Sequence, residues 1–180
     1  MKNPAILSVT ASTTVPGFSV NPDYVRPEGD LDDEFQFMGS LMIDYDFIKT
    51  LGLEIKEGRD FSKDFVSDAR EALILNEEAV KKFNWKRAIG KTIELQGLGK
   101  KVVIGVVKNF HQLSKYQKID SYILNLLDRN YLEIIQYILI KIYPGQTRET
   151  LSFLKEEWKK LSGGRPLSYQ FLDESYDALY

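Results

Sequence analysis

One histidine, His111, stands in a chain of 180 residues that has no cysteine. A lone imidazole can serve as acid, base or metal ligand. No nucleophile is apparent in its sequence neighbourhood, however, and a zinc site takes about three or four ligands. His111 therefore reads as a loop residue behind a strand. The absence of cysteine removes disulfides, thiolate metal sites and thiol nucleophiles together, and it fits an oxidising compartment. No GxSxG elbow, HExxH, P-loop or GxGxxG phrase occurs.

Carboxylates are the remaining source of chemistry. Asp30, Asp32, Asp33 and Glu34 cluster, but their spacing lacks the glycine and distal glutamate of a calcium-binding EF-hand loop, and a hydrated acidic turn is the better reading. Asp44 and Asp46 read as helix-start residues; Glu57, Asp60 and Asp64 read as surface turn residues. A general acid–base pair would have to be assembled in space. The basic pairs Lys81-Lys82, Lys86-Arg87 and Lys100-Lys101 read as solvated faces. With 24 basic against 26 acidic residues and a net charge of −2, there is no electrostatic footprint for nucleic acid or an anionic membrane surface. Trp85 and Trp158 read as core residues. Tyr116, Tyr122 and the Tyr176–Tyr180 stretch are the better candidates for a contact surface, where tyrosine is favoured. These readings assign no catalytic, cofactor-binding or metal-binding residue.

The elements that must carry these residues follow from periodicity and punctuation. Ala5–Ala11 alternates as a strand. Thr13–Pro27, broken by Pro16-Gly17 and Pro22, reads as loop. Glu34–Ile43 is a half-buried strand. Asp44 opens a short helix, Tyr45–Leu51, that Gly52 stops. Leu53–Ile55 is a brief strand, Glu57–Asp60 a turn and Glu71–Leu75 a buried strand. Asn76 then caps a helix, Glu77–Phe83, with carboxylates at its positive end and Lys81-Lys82 at its negative one. Lys91–Leu95 and Lys101–Val107 pair through the Gly97–Gly99 turn, and Tyr122–Leu127 is short and apolar. Within Tyr131–Tyr143, the β-branched run IIQYILIKI is the strongest central-strand signal. An amphipathic helix runs from Gln146 or Thr147 to about Leu161, with Leu151, Leu154, Trp158 and Leu161 as its stripe. Leu167–Leu172 is predicted as a final strand, giving an α+β chain with a βαβ-like, ferredoxin-like C-terminal unit. No segment approaches the roughly 18 consecutive apolar residues of a spanning helix, and MKNPAILSV does not read as a signal peptide.

A resemblance emerges from phrases in order. Asp44, Asp46-Phe47-Ile48, Leu51-Gly52 and Gly58-Arg59-Asp60-Phe61 come first, then Ile74, Leu75-Asn76-Glu77 and Ala79. Ile89-Gly90-Lys91 follows, with Ala88 where proline is usual. Gly105-Val106-Val107 leads to Asn109-Phe110-His111, with Asn109 where aspartate is common. Phe171-Leu172-Asp173-Glu174 with Tyr176 closes the series. This pattern resembles the periplasmic (extracytoplasmic) core domain of MacB/FtsX-type ABC transporter permeases, over roughly residues 43–180.

That resemblance implies two lobes: residues 1–42 plus 130–180 as a membrane-proximal α+β lobe, and 43–129 as an inserted outer α/β lobe. It implies a non-enzymatic domain at the periplasmic face of the inner membrane, joined to flanking helices and excised from between them; members of that family often begin with an additional strand and helix upstream. The implied function is to couple ATP-driven helix movement to the periplasm. ATP would be used by a separate cytoplasmic subunit, and the domain itself would hold no cofactor. Implied partners are that ATP-binding subunit, a second permease copy and a periplasmic adaptor protein. The alternative is a ligand-binding or sensor domain for a peptide or envelope lipid; a hydrolase and a secreted adhesion module rank below it. If the resemblance holds, Ala5 and Tyr180 should emerge on one side of the fold.

Overall fold

In a computed structural model of the chain, the structure describes residues 3–16, 18, 20–30, 34–110, 119–127 and 129–172. The strands are β1 (Ile6–Ser12), β2 (Asn21–Pro27), β3 (Gln36–Ile43), β4 (Ile55–Gly58), β5 (Ala72–Asn76), β6 (Thr92–Leu95), β7 (Gly99–Val107), β8 (Tyr122–Leu126) and β9 (Tyr137–Ile142). The helices are α1 (Phe47–Leu51), α2 (Asp68–Glu71), α3 (Glu77–Lys82) and α4 (Thr147–Leu161), with a 3-10 turn at Arg129–Ile134.

Hydrogen bonding runs in the order β2-β6-β7-β5-β8-β3-β1-β9, and β2 also pairs with β3. The first six strands of that order therefore close on themselves as a small barrel, which removes the exposed edges an open sheet would leave. Neighbouring registers place Val25, Met38, Leu73, Leu75, Ile93, Leu95, Val103 and Ile123 on one face, and all are fully buried together. This is the barrel interior. Ala79 of α3 and Ala88 belong to the same cluster, with Phe83 and Trp85 packed against it, so α3 and its exit plug one end. On the outer face, Leu41, Ile43, Ile74, Leu124 and Leu126 meet Phe47 and Ile48 of α1 and Phe61 in a second core.

The α+β class expected from the sequence holds, with strands dominant. The expected division at residues 42 and 43 falls inside β3, because β2 and β3 are staves of the barrel and pair with β6 and β8. β2 itself was expected as loop. Its prolines are tolerated because β2 meets β3 over Asn21–Val25 and β6 only over Val25–Pro27; each half leaves one side without a partner strand, where a missing N–H costs nothing in the ladder.

Two C-terminal expectations are corrected. β9, read as a central strand, pairs among the described residues with β1 alone and is the edge of the sheet. A β-branched run reports burial of faces rather than of edges, and Leu139 does pack against the outer core while Ile138 stays 62% exposed. The final strand expected at Leu167–Leu172 does not form, so there is no βαβ unit among the described residues. That segment folds back on α4 instead: Trp158 Nε1 donates to the Arg165 carbonyl at 2.9 Å, and Lys155 lies over the Tyr169 ring.

Candidate functional site

Two features fasten surrounding elements to the barrel. The first is the β1–β9 ribbon. Val9 pairs with Ile140 and Ser12 with Tyr137, and the Tyr143 amide donates to the Ala5 carbonyl at 2.9 Å, so the start of β1 lies beside the end of β9. At its other end the ribbon passes into the barrel. Ser12 pairs with Ile43 of β3, Thr13 N–H donates to the Met42 carbonyl at 3.0 Å, and Asp44 N–H donates to the Ala11 carbonyl at 2.9 Å. α1 packs against β1 and β9 and sinks Phe47 and Ile48 into the outer core. Gly52 closes α1 in the left-handed region at φ 70°, where glycine has no Cβ penalty. The helix start expected at Asp44 falls at Asp46, whose side chain makes no capping bond to α1; Asp44 Oδ1 accepts from the Tyr45 amide at 2.7 Å.

The second feature is a crossing of β4 over β7. A Cβ on Gly58 would lie 2.1 Å from the Ile104 carbonyl oxygen, and one on Gly105 would lie 2.3 Å from that of Arg59. Only glycine allows the two backbones this approach. Arg59 then turns its guanidinium onto Asp68, with Nη1–Oδ2 at 2.7 Å and Nη2–Oδ1 at 2.8 Å, and stacks over Phe65 at 4.2 Å. Asp68 is 2% exposed and also accepts from the Ser62 amide at 3.0 Å. Burial alone would raise its pKa; the bonds from Arg59 and Ser62 outweigh that and hold it below the ordinary carboxylate value. Asp60 Oδ1 accepts from the Phe61 amide at 2.7 Å, but burial outweighs that bond and pushes its pKa up.

Beside the crossing, Asn76 joins three elements. Its Oδ1 accepts from the amides of Ala79 (3.0 Å) and Tyr122 (2.9 Å), and its Nδ2 donates to the Asp120 carbonyl (2.8 Å). It is the expected cap of α3 and also the clamp on the start of β8. Asn109, at the exit of β7, acts as a second anchor. Its Oδ1 accepts from the Glu78 amide at 3.1 Å and its own amide donates to Glu77 Oε2 at 3.0 Å. Glu77 receives Lys56 as well, and these bonds keep its pKa low.

The sequence profile of the MacB-like periplasmic core domain matches residues 2–153. The chain belongs to this family. The periplasmic region of MacB from Actinobacillus actinomycetemcomitans superposes with a TM-score of 0.70 at 20% identity, covering 99% of this chain and 78% of that one. The extracellular domain of the noncanonic ABC-type transporter YknZ from Gram-positive bacteria gives 0.63 at 18% identity, covering 91% and 80%. No curated protein matches. This MacB-like domain is thus the extracytoplasmic, periplasmic part of an ABC transporter permease, whose transporter works with a cytoplasmic ATPase. Its relatives are permease domains, not enzymes.

The phrases that carried the resemblance are structural in this MacB-like fold. Gly58-Arg59-Asp60-Phe61 is the crossing with its buried Phe61, Leu75-Asn76-Glu77 the clamp, and Ile89-Gly90-Lys91 a turn whose Gly90 amide donates to the Val103 carbonyl at 2.9 Å. Among the described chemistry candidates, Asp46 and Asp60 are close enough for the Asp46 charge to add to the rise in the Asp60 pKa. Asp30 accepts from Gln36 at 2.6 Å and Asp64 from Ser62 at 3.3 Å. His111, Asp32, Asp33, Tyr116 and Tyr176–Tyr180 lie outside the described residues. Among the described residues no group of three or more potential ligands is placed to hold a metal, and no helix is long and apolar enough to cross a membrane.

Three readings change. Tyr122, expected at a contact surface, is buried, stacked on Phe110 at 5.9 Å, with its pKa pushed up to about 12 by burial. Lys101, read as solvated, points inward with Nζ donating to the Ala69 carbonyl at 3.2 Å. The exposed aromatic pair is instead Tyr24 and Phe37, cross-strand neighbours at 6.4 Å. Strict alternation in FQFMG foretold a half-buried strand, but nothing in it marked which aromatic stays outside.

Proposed function

We propose that this domain carries movement of the permease's membrane helices to the extracytoplasmic side. ATP binding and hydrolysis on the cytoplasmic subunit shift helices that flank the domain; the shift enters through the β1–β9 ribbon and moves the barrel against a partner. Candidate partners are a second permease copy or a periplasmic adaptor protein. The observation that carries this reading is the hydrogen-bonded continuity from Ala5 and Tyr143 through Ser12 into Ile43 and β3. A closed barrel on a packed core deforms little, so a displacement at the ribbon moves the barrel as a body. The lobes are accordingly proposed as the barrel and the ribbon with α4.

These 180 residues contain no cysteine, so labels within them are site-specific once any cysteine elsewhere in the permease is replaced. In the full-length permease, spin labels on Cys replacing exposed Lys63 and exposed Lys159 report the barrel-to-α4 distance, and a label pair from Lys63 to the membrane helices reports the barrel's displacement. Nucleotide should change the second distance by several ångströms and leave the first nearly constant. An unchanged second distance would refute the coupling role. The alternative, recognition of a peptide or envelope lipid without mechanical work, calls for a deep apolar pocket between lobes.

A further inference from the structure

The α3 end of the barrel lies far from the ribbon. On β3, Ile43 meets Ser12 of the ribbon, while Phe37 stands six positions earlier, so about 20 Å of strand separates the two ends. Lys82 Nζ, at the last residue of α3, donates to the Phe37 carbonyl at 2.6 Å and fixes α3 at the far end. The surface around this contact is aromatic. Phe37 is 59% exposed and its cross-strand neighbour Tyr24 is 50% exposed, with the two rings edge to face. At the exit of α3, Trp85 packs on Phe83 with ring centroids 5.0 Å apart and stays half-buried.

The same end is cationic. Lys82, Lys86 and Arg87 are all exposed. The carboxylates of α3 are already engaged: Glu77 accepts from Lys56 and from the Asn109 amide, and Glu78 from Lys81 and the Asn109 side chain. Lys82 holds a carbonyl rather than a carboxylate. Among the described residues, Lys86 and Arg87 have no hydrogen-bond or ion-pair partner. A chain with a net charge of −2 thus gathers three cations without carboxylate partners at the end that carries its exposed aromatic pair.

We infer that this end of the barrel docks an acidic segment of an extracytoplasmic polypeptide. Charge complementarity selects the occupant. Glutamates or aspartates meet Lys82, Lys86 and Arg87, and apolar or aromatic side chains between them cover Tyr24 and Phe37. Aromatic rings and arginine are the groups that carry most of the energy at protein interfaces. An anionic lipid headgroup shares the charge, but the patch stands at the barrel end away from the ribbon. The assignment gives the partner of the coupling reading its chemistry and rests on that reading for its role. Binding without nucleotide-dependent displacement would sink the coupling and keep the docking site; displacement without binding would do the reverse.

The test is NMR of the 15N-labelled 180-residue chain, titrated with acetyl-Glu-Tyr-Glu-Glu-Tyr-Glu-amide, with the same peptide carrying glutamine for glutamate, and with phosphatidylglycerol vesicles. Saturable shifts at the Tyr24 and Phe37 amides and the Trp85 indole are expected for the acidic peptide, and they should weaken as salt is raised. Lys86→Gln with Arg87→Gln, at exposed positions whose side chains hold no bond in the fold, should weaken binding by about fivefold or more. Phe37→Ser should weaken it by about tenfold, and Lys159→Gln, on α4, should leave it unchanged. No saturable shift with the acidic peptide, equal affinity for the glutamine peptide, or an equal loss in Lys159→Gln would overturn the assignment. Shifts at the same residues with vesicles and not with peptide would overturn it in favour of a lipid.

Discussion

Replacing either member of the Arg59–Asp68 pair should destabilise the fold, and by unequal amounts. Breaking a buried ion pair costs about 3–5 kcal/mol when the survivor is left uncompensated. Arg59 is 38% exposed in its side chain and Asp68 only 2%. In Asp68→Asn, the surviving guanidinium keeps its access to water and its stack on Phe65, so the loss falls to about 1–2 kcal/mol after allowance for solvent screening. In Arg59→Met, a carboxylate stays buried with only the Ser62 amide as partner, and the loss stays near about 3 kcal/mol. The two residues share one interaction, so the double variant should lose less than the sum, with a coupling of about 1–2 kcal/mol. Urea unfolding of the four proteins measures all three quantities.

The pH dependence of the same series gives an independent reading. In the parent, Asp68 has a depressed folded pKa. Its contribution is therefore complete above the unfolded value of about 3.9 and is lost as pH falls through the folded value. In Arg59→Met only burial and the Ser62 bond remain, burial dominates, and the folded pKa rises above the unfolded one. Stability in that variant should then grow on acidification through the carboxylate range, relative to the parent. If Asp68→Asn proves the more damaging single change, or the coupling is under about 0.5 kcal/mol, the brace is not what holds this crossing.

Other expectations follow from single positions. Asn76→Ala removes three hydrogen bonds, two of them buried, and should cost about 3 kcal/mol in urea unfolding. Gly105→Ala, whose Cβ would meet the Arg59 carbonyl at 2.3 Å, should prevent a native circular dichroism melt; Gly97→Ala, with open space but φ 81°, should cost only about 1 kcal/mol. Asp60 has a raised folded pKa, so the native state holds its proton longer than the unfolded state and stability falls as pH rises through that window. Asp60→Asn should therefore raise the melting temperature at pH 7 and give no gain below the ordinary carboxylate range.

Much of the local structure was legible because it depends on residues close in sequence. Asn76 before Glu77-Glu78, Gly52 after Leu51 and the Gly97–Gly99 turn each place their element within a residue or two of where it forms. Barrel closure was not legible. It depends on β2 pairing with β6 nearly 70 positions later, as in Arg26 with Glu94, and Pro22 and Pro27 disguised β2 as loop. The edge position of β9 was hidden for a related reason: an apolar run such as YILIKI reports what covers its faces, and the partner missing from its edge leaves no mark on composition. The Asn125–Ser40 contact did leave one, a single amide inside YILNL, where a strand otherwise buried throughout takes a polar residue at some cost.

Several of the residues that made the family recognisable gather at one junction. Gly58 and Gly105 let β4 and β7 touch, Arg59 fastens that crossing to Asp68, and Asn76 and Asn109 fasten α3 to the exits of β5 and β7. The junction holds together strands that belong to the barrel wall and a helix that plugs its end. None of these six residues lines the cleft bounded by Asn21, Asp23, Ser40 and Met42. Their common effect is stiffness between the outer core and the barrel. Stiffness is what a coupling element needs, because a compliant joint would absorb a helix shift before it reached the far side. Under the proposed coupling role, weakening the junction without unfolding it, as Asp68→Asn is expected to do, should loosen the proposed link between ATP hydrolysis and barrel displacement in the full-length permease. An Asp68→Asn permease whose nucleotide-dependent label distances match the parent's would separate the junction's role in folding from any role in transmission.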